Sequence, residues 1–375
     1  MIKEPRDLFE KLEFDKIILL LEKECLGEQG KEAIRTMPLH TDAVLLEQLL
    51  TEVSEFKLSL EEKDYFPISV YEDISEDLRM LAVEGYVLPV EGLQRVNNQL
   101  LITAAAYKFF TAPRKEIYPS LLAILSDVQF DESLHQLIDK IIDENGDIRP
   151  NASPDLQKIR RQLGSKQREL ERQFRIIINE YKSKGWLSDS VESFRNGRRV
   201  LSVPSEHKRK IRGIIHDEST TGKTAFIEPE AIIDINNDIF DLETEEKREI
   251  YRILRELSAQ LRPYVPAMRQ YQDLLIRFDV ISAKAKLAVR LKASKPKLKP
   301  EPRLGIKTGF HPLLYLKNKE TDKKTIPFDL ILFNQNRVLM LSGPNAGGKS
   351  ITMKSAGLLR TARKLAAGEV FVPSA

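Results

Sequence analysis

With 375 residues, 59 of them basic and 56 acidic for a net charge of +3, the chain has material for two or three domains with real cores. That near-balance of charge argues neither for nor against nucleic acid, so local distribution must decide. The single cysteine, Cys25, excludes an internal disulfide framework and a cysteine zinc cluster. Its neighbours Leu20, Leu21 and Leu26 predict a buried thiol. Lys3, Glu4 and Arg6 precede only short apolar groups, which does not resemble a signal peptide. No apolar run reaches the length of a membrane span, so the expectation is a soluble, cytoplasmic protein with no membrane partner. The five histidines are scattered without metal-ligand spacing.

Residues 1–150 read as a helical core domain. Leu12, Phe14, Ile17, Ile18 and Leu21 recur at helical spacing, as do Leu45, Leu49, Val53, Phe56 and Leu60. Further helices are predicted from about Val90 to Phe110 and from Ser133 to Ile142, with a turn at Gly146-Asp147.

The character changes at Asn151. Ser153 can cap a helix and Pro154 suits its first position. Leu156, Ile159, Leu163, Leu170, Phe174, Ile177 and Tyr181 then recur at steps of three, four or seven, up to a stop at Gly185. That is the pattern of one arm of an antiparallel coiled coil. Residues 186–229 break the helical period. Val200–Val203, Ile211–Ile215 and Lys223–Ile227 read as short strands, with turns at Asn196-Gly197 and Thr221-Gly222. A second long helix follows, striped by Ile235, Ile239, Leu242, Ile250, Ile253, Leu257 and Leu261 as far as Pro263. Long helix, small β element, long helix is how a chain runs out along an arm, builds a tip and returns. The arms with their tip span 151–265. A returning helix, about Ala267 to Ala293, and a basic linker ending near Pro300 occupy 266–300.

Positive charge concentrates on the tip. Arg195, Arg198, Arg199, Lys208, Arg209, Lys210 and Arg212 share that stretch with one acid, Glu206. Two readings stay open. The tip grips a phosphate backbone without reading sequence, or its charges protect a solvated edge strand. A second basic run, Lys284 to Lys299, falls half in the linker and reads as solvation.

The last part, 301–375, is α/β in character and holds the most specific signal. Gly343-Pro344-Asn345-Ala346-Gly347-Gly348-Lys349-Ser350 fits the phosphate-binding loop G-x-x-x-x-G-K-[ST]. An apolar run, Val338-Leu339-Met340-Leu341, precedes it as a predicted strand, and a helix from about Ile351 to Leu365 follows. The glycines let backbone wrap a polyphosphate, and the amides at the helix start meet the anion. Lys349, the catalytic candidate, would reach the β- and γ-phosphates of ATP, and the Ser350 hydroxyl would coordinate Mg²⁺.

Arms, tip and loop together resemble the MutS family, most closely its bacterial type-two branch, over almost the whole chain. The matching segments are Leu12-Glu13-Phe14-Asp15-Lys16-Ile17, Gly213-Ile214-Ile215-His216-Asp217-Glu218-Ser219, Phe226-Ile227-Glu228-Pro229, Gly309-Phe310-His311-Pro312-Leu313-Leu314 and the phosphate loop itself. The fold class implied is mainly α with an α/β C-terminal part: a helical core, coiled-coil arms with a β-rich tip, and an incomplete ABC-type ATPase domain. The resemblance implies an ATP- and Mg-dependent homodimer that clamps nucleic acid, either branched DNA in recombination suppression or the RNA of a stalled ribosome. Many such proteins also carry a C-terminal nuclease. The magnesium-holding aspartate strand, the catalytic glutamate and the ABC signature find no counterpart here. A fragment with little ATP hydrolysis is therefore expected, and the alternative is a binding module without a nucleotide cycle. Thr325 stands where many members place an adenine-stacking aromatic. An SMC- or Rad-like ATPase would carry the loop near the N-terminus, before its arms, not after them.

Overall fold

The computed structural model describes residues 7–187, 191–298, 304–333, 338–343 and 348–364. The helices of eight residues or more among them are α1 (Phe14–Glu24), α2 (Glu28–Arg35), α3 (Ala43–Glu61), α4 (Val90–Phe109), α5 (Pro119–Ser126), α6 (Pro154–Ser183), α7 (Glu230–Leu261), α8 (Val265–Leu291), α9 (Pro312–Glu320) and α10 (Lys349–Lys364). The strands are β1 (Glu192–Arg195), β2 (Arg198–Pro204), β3 (Gly213–Glu218), β4 (Thr224–Pro229), β5 (Leu304–Gly309) and β6 (Phe328–Leu332). One packed unit draws on residues 1–83, 91–136 and 261–375, the other on 84–90 and 137–260. No helix among the described residues is long and apolar enough to cross a membrane.

In the first unit α8 is the central element, buried along most of its length. One apolar cluster gathers Phe56, Phe66, Phe109 and Phe278, with Phe66 stacked on Phe278 at 4.5 Å between ring centroids. A second joins Phe14, Ile17 and Leu21 of α1 to Leu287 and Leu291 of α8 and to Leu358, Leu359 and Ala362 of α10. A polar contact fixes their register. The wholly buried Asp279 of α8 accepts from the N–H groups of Leu26 (2.8 Å) and Gly27 (3.0 Å) and from the Tyr71 hydroxyl (3.1 Å). It thereby caps α2. Gly30 is needed there because a Cβ would lie 2.1 Å from Asp279 Oδ2.

In the second unit α6 begins as its sequence dictates, with the Ser153 hydroxyl accepting from Leu156 N–H at 3.0 Å and Pro154 in the first turn. It stops at Gly185, whose φ is +68°. α6 and α7 run antiparallel, as their cross-helix pairs show: Ser153–Glu249 (2.5 Å), Arg160–Glu246 (2.6 Å) and Lys166–Asp238 (2.8 Å). Midway, Ile159, Leu163, Ile239 and Leu242 are only half-buried, so the apolar seam is thin there. It thickens where Leu170, Phe174, Ile177, Ile232 and Ile235 meet the sheet.

That sheet is antiparallel in the order β1-β2-β4-β3. Asn196 and Gly197 both take positive φ, +51° and +76°, which is what a tight two-residue hairpin between β1 and β2 requires. Leu201, Val203, Ala225 and Ile227 are completely buried against the helices. A bulge between Ile215 and Asp217 leaves His216 as the extra residue in β3.

Strand and helix ends differ from the sequence expectation by a residue or two in several places, and three differences are larger or bear on the site. The helix beginning at Ser133 ends at Asp139, and Ile142 instead bridges Ile148 across the Gly146 turn. β3 starts at Gly213, after a buried Ile211. Residues 338–341 form no strand, and their side chains are 83%, 48%, 89% and 38% exposed. A strand needs a neighbour for its ladder bonds, and no described strand lies beside this run: β5 and β6 pair only with each other.

Candidate nucleotide and nucleic-acid sites

The phosphate loop is described at both ends, while Pro344, Asn345, Ala346 and Gly347 lie outside the described residues. Gly343 and Gly348 have φ of +147° and +81°, backbone that only glycine adopts without strain. Nothing stands within 4 Å of where a Gly343 Cβ would project. Lys349 opens α10 and its ammonium donates back to the Gly343 carbonyl, so it spans the loop from helix end to entry. Ser350 is exposed in the first turn beside it. The donors here are an ammonium, a hydroxyl and the free amides of a helix start. That set suits a magnesium-bound polyphosphate. Thr325 is half-buried and its hydroxyl accepts from the Asn318 side-chain amide at 3.0 Å.

Behind the loop, α10 is tied down. Lys354 donates to Glu13 at 3.0 Å, and Lys16 donates to the same carboxylate. Those hydrogen bonds, Lys16 first and then Lys354, hold the Glu13 pKa down at about 2. Leu12 packs on α10 so closely that a Cβ at Gly357 would come within 2.7 Å of it. His311 is 5% exposed, and neither ring nitrogen has a hydrogen-bond partner among the described residues. Burial pushes its pKa down. The segment beginning at Leu12 and the His-Pro segment were legible in sequence only as resemblances. The structure places Leu12 and Glu13 against the phosphate-loop helix.

The tip divides its cations into two groups. Arg195 lies 3.6 Å over the Phe226 ring and donates to Asp217 at 3.2 Å. Arg198 pairs with the fully buried Glu228 at 2.9 Å and reaches Asn237 at 2.6 Å. Arg199 is held by Glu171 and by Glu192 (2.6 Å) and covers the Phe174 ring. Lys208 pairs with Glu218 at 2.7 Å. These four are neutralised within the fold. Arg209, Lys210 and Arg212 are exposed and form no ion pair among the described residues. The second group is therefore the one free to meet an external phosphate.

Sequence reasoning missed two features of the tip. Glu228 also accepts from Asn236 (2.7 Å) and meets His216 Nε2 at 2.5 Å, so the bulged histidine closes a buried network. Gly213 permits this register, since a Cβ there would lie 2.0 Å from the Glu228 carbonyl oxygen. Trp186 follows the Gly185 stop, with Tyr181 at 5.7 Å and the ammonium groups of Lys184 and Lys210 at 4.9 and 5.8 Å from its ring. Its signal was an aromatic just past a helix end in a basic neighbourhood. Elsewhere, Cys25 is half-buried, and burial pushes its thiol up to about 12, so it stays protonated at neutral pH.

No protein-family model matches the chain. Curated proteins do. It is 31% identical over 350 residues to a protein of Alkaliphilus oremlandii named Endonuclease MutS2, covering 93% of this chain and 43% of that one. It is 32% identical over 375 residues to the protein of that name from Geobacillus thermodenitrificans, covering 97% and 45%. The corresponding protein of Carboxydothermus hydrogenoformans is 33% identical over 366 residues, with the same coverage. The chain thus spans less than half the length of the curated relatives it matches.

Proposed function

The curated relatives support a MutS2-family relationship, and from it we propose that this chain is the ATP-binding, nucleic-acid-gripping part of a MutS-type clamp. The observation that carries the reading is Lys349, which spans the glycine loop at the head of α10. ATP would be held from Gly343 to Ser350. Lys349 would stabilise phosphate charge, Ser350 would hold magnesium, and the amides of Ala346 to Gly348 would form the anion nest. ATP binding, rather than hydrolysis, is the activity proposed for these residues.

In the same reading α6 and α7 are coiled-coil arms, and the sheet at their end meets the phosphate backbone of branched DNA or of ribosomal RNA through Arg209, Lys210 and Arg212. Paired copies would close on that target according to the nucleotide held. Calorimetric titration of this chain with magnesium-ATP tests the first half: micromolar affinity is expected, weakened about 10- to 100-fold by Lys349→Ala, the worth of a charge-assisted hydrogen bond. No binding by the unaltered chain would favour a binding module without a nucleotide cycle. The second half predicts a salt slope for nucleic-acid binding of roughly −3 from the three free cations, reduced by about one in Arg209→Ala.

A further inference from the structure

We propose that the tip takes an unpaired nucleobase on Trp186, so that its nucleic-acid ligand is one carrying a single-stranded element. This rests on the nucleic-acid half of the function proposed above and narrows it to a ligand class.

The positions of the cations motivate it. Lys210 lies between β2 and β3, yet its ammonium is 5.8 Å from the ring of Trp186, which follows α6. The chain therefore brings an aromatic surface and the exposed Lys210, which Arg209 and Arg212 neighbour in sequence, to one place from two parts of the sequence. Phosphate-backbone binding needs the cations alone. Stacking needs a flat ring beside them, and that combination is how single strands are held without sequence preference.

Trp186 also has a packing role. It lies against the cluster built on Phe174 and Leu201, and Tyr181 flanks it. That role does not bury it: the indole remains half-exposed, and the ammonium groups of Lys184 and Lys210 approach its ring. Lys184 is shared with Glu180 at 2.5 Å, so its ring contact is only part of what holds it.

Magnitudes decide between leaving the lysines at the ring and replacing them with a base. An exposed cation–π contact is worth roughly two- to fivefold in an equilibrium. A base stacked on an aromatic side chain is worth roughly five- to 150-fold. The displaced ammonium is not stranded, because the nucleotide brings its own phosphate to meet it. In duplex the bases are already stacked on one another and unavailable, so Trp186 adds nothing there. The tip therefore discriminates single-stranded from fully paired nucleic acid through one side chain.

The experiment is direct because Trp186 is the sole tryptophan of the chain. Dye-labelled single-stranded DNA, RNA of the same sequence and the blunt duplex are titrated into the full chain, following anisotropy for binding and tryptophan emission for contact with the ring. The expected result is quenching by both single strands and at least fivefold tighter binding of them than of duplex. Trp186→Leu should abolish that preference, and Trp186→Phe, which keeps an aromatic face, should retain most of it. Equal affinity for single strands and duplex, or single strands that bind without changing the emission, overturns the proposal and leaves nucleic-acid binding standing. Failure to bind any of the three removes the nucleic-acid reading and this proposal with it. Should Trp186→Leu not fold, the emission of the unaltered chain and the Trp186→Phe comparison still decide.

Discussion

Ile227, at the centre of the tip sheet, is completely buried, whereas Met340, on the approach to the phosphate loop, is 89% exposed. Both belong to short apolar runs that read as strands. The difference is what each run packs against. β4 lies between β2 and β3 and presses Ala225 and Ile227 onto α6 and α7. Residues 338–341 have no ladder partner among the described residues. An apolar side chain stabilises a fold only through the surface it removes from water, so two similar sequences contribute very differently.

The largest effect is expected where that comparison is sharpest. Ile227→Ala should destabilise the tip by about 2–5 kcal/mol, from lost burial plus the cavity left behind. Met340→Ser should change stability by less than about 0.5 kcal/mol. Hydrogen exchange of the β2 and β4 amides is the suitable measurement, because a chain of two units gives no single melting free energy. Equal effects of the two substitutions would erase the distinction between the runs.

The tip also shows how far sequence carries. The start of α6 at Ser153-Pro154, its stop at Gly185 and the Asn196-Gly197 hairpin were legible because each depends on local backbone chemistry. The division of the seven cations was not. Arg199 is neutralised by Glu171, 28 positions earlier, and Arg198 by Glu228, 30 positions later. Those pairs exist only once β2 is set in register against β4 and packed on α6, which no spacing rule announces. The phosphate loop was legible as a string of residue types, yet its anchoring by Leu12 and Glu13 joins positions more than 300 apart. The run at 338–341 was misread because composition reports β propensity and not the presence of a partner.

A second, intermediate effect turns the comparison from apolar to charged burial. Lys284, on α8, is 7% exposed, and burial pushes its pKa down to about 8 from 10.5, with Glu52 opposing the shift. Between those two values the folded state binds fewer protons than the unfolded chain, so stability rises with pH across that window. Below about pH 8 the full cost of burying the charge applies, on the order of 3 kcal/mol. Lys284→Met should therefore stabilise the helical unit at pH 7 and lose most of that advantage by pH 10. Denaturation of α8 followed by hydrogen exchange at both pH values checks this. An advantage independent of pH would show that the gain comes from packing instead.

The smallest effect concerns what ties the phosphate-loop helix to the start of the chain. The Glu13 and Lys354 side chains are 28% and 42% exposed, so solvent screens their attraction. A pair of that kind is worth about 0.2–1 kcal/mol. Its pH signature is clearer than its size. The Glu13 pKa is depressed from 4.5 to about 2, so its contribution is complete above pH 4.5 and is lost as pH falls through about 2. Over that interval the amides of α1 and α10 should lose protection together, since Phe14 and Leu358 share one apolar cluster. In Glu13→Gln the paired loss should vanish, because an amide does not titrate, and the neutral-pH protection of both helices should be slightly lower from the start. Lys354→Met should lower that protection too but keep part of the acid response, because Lys16 still donates to the carboxylate. If α10 loses protection in acid while α1 does not, Glu13 is a surface decoration and the phosphate-loop helix is held by its apolar face alone.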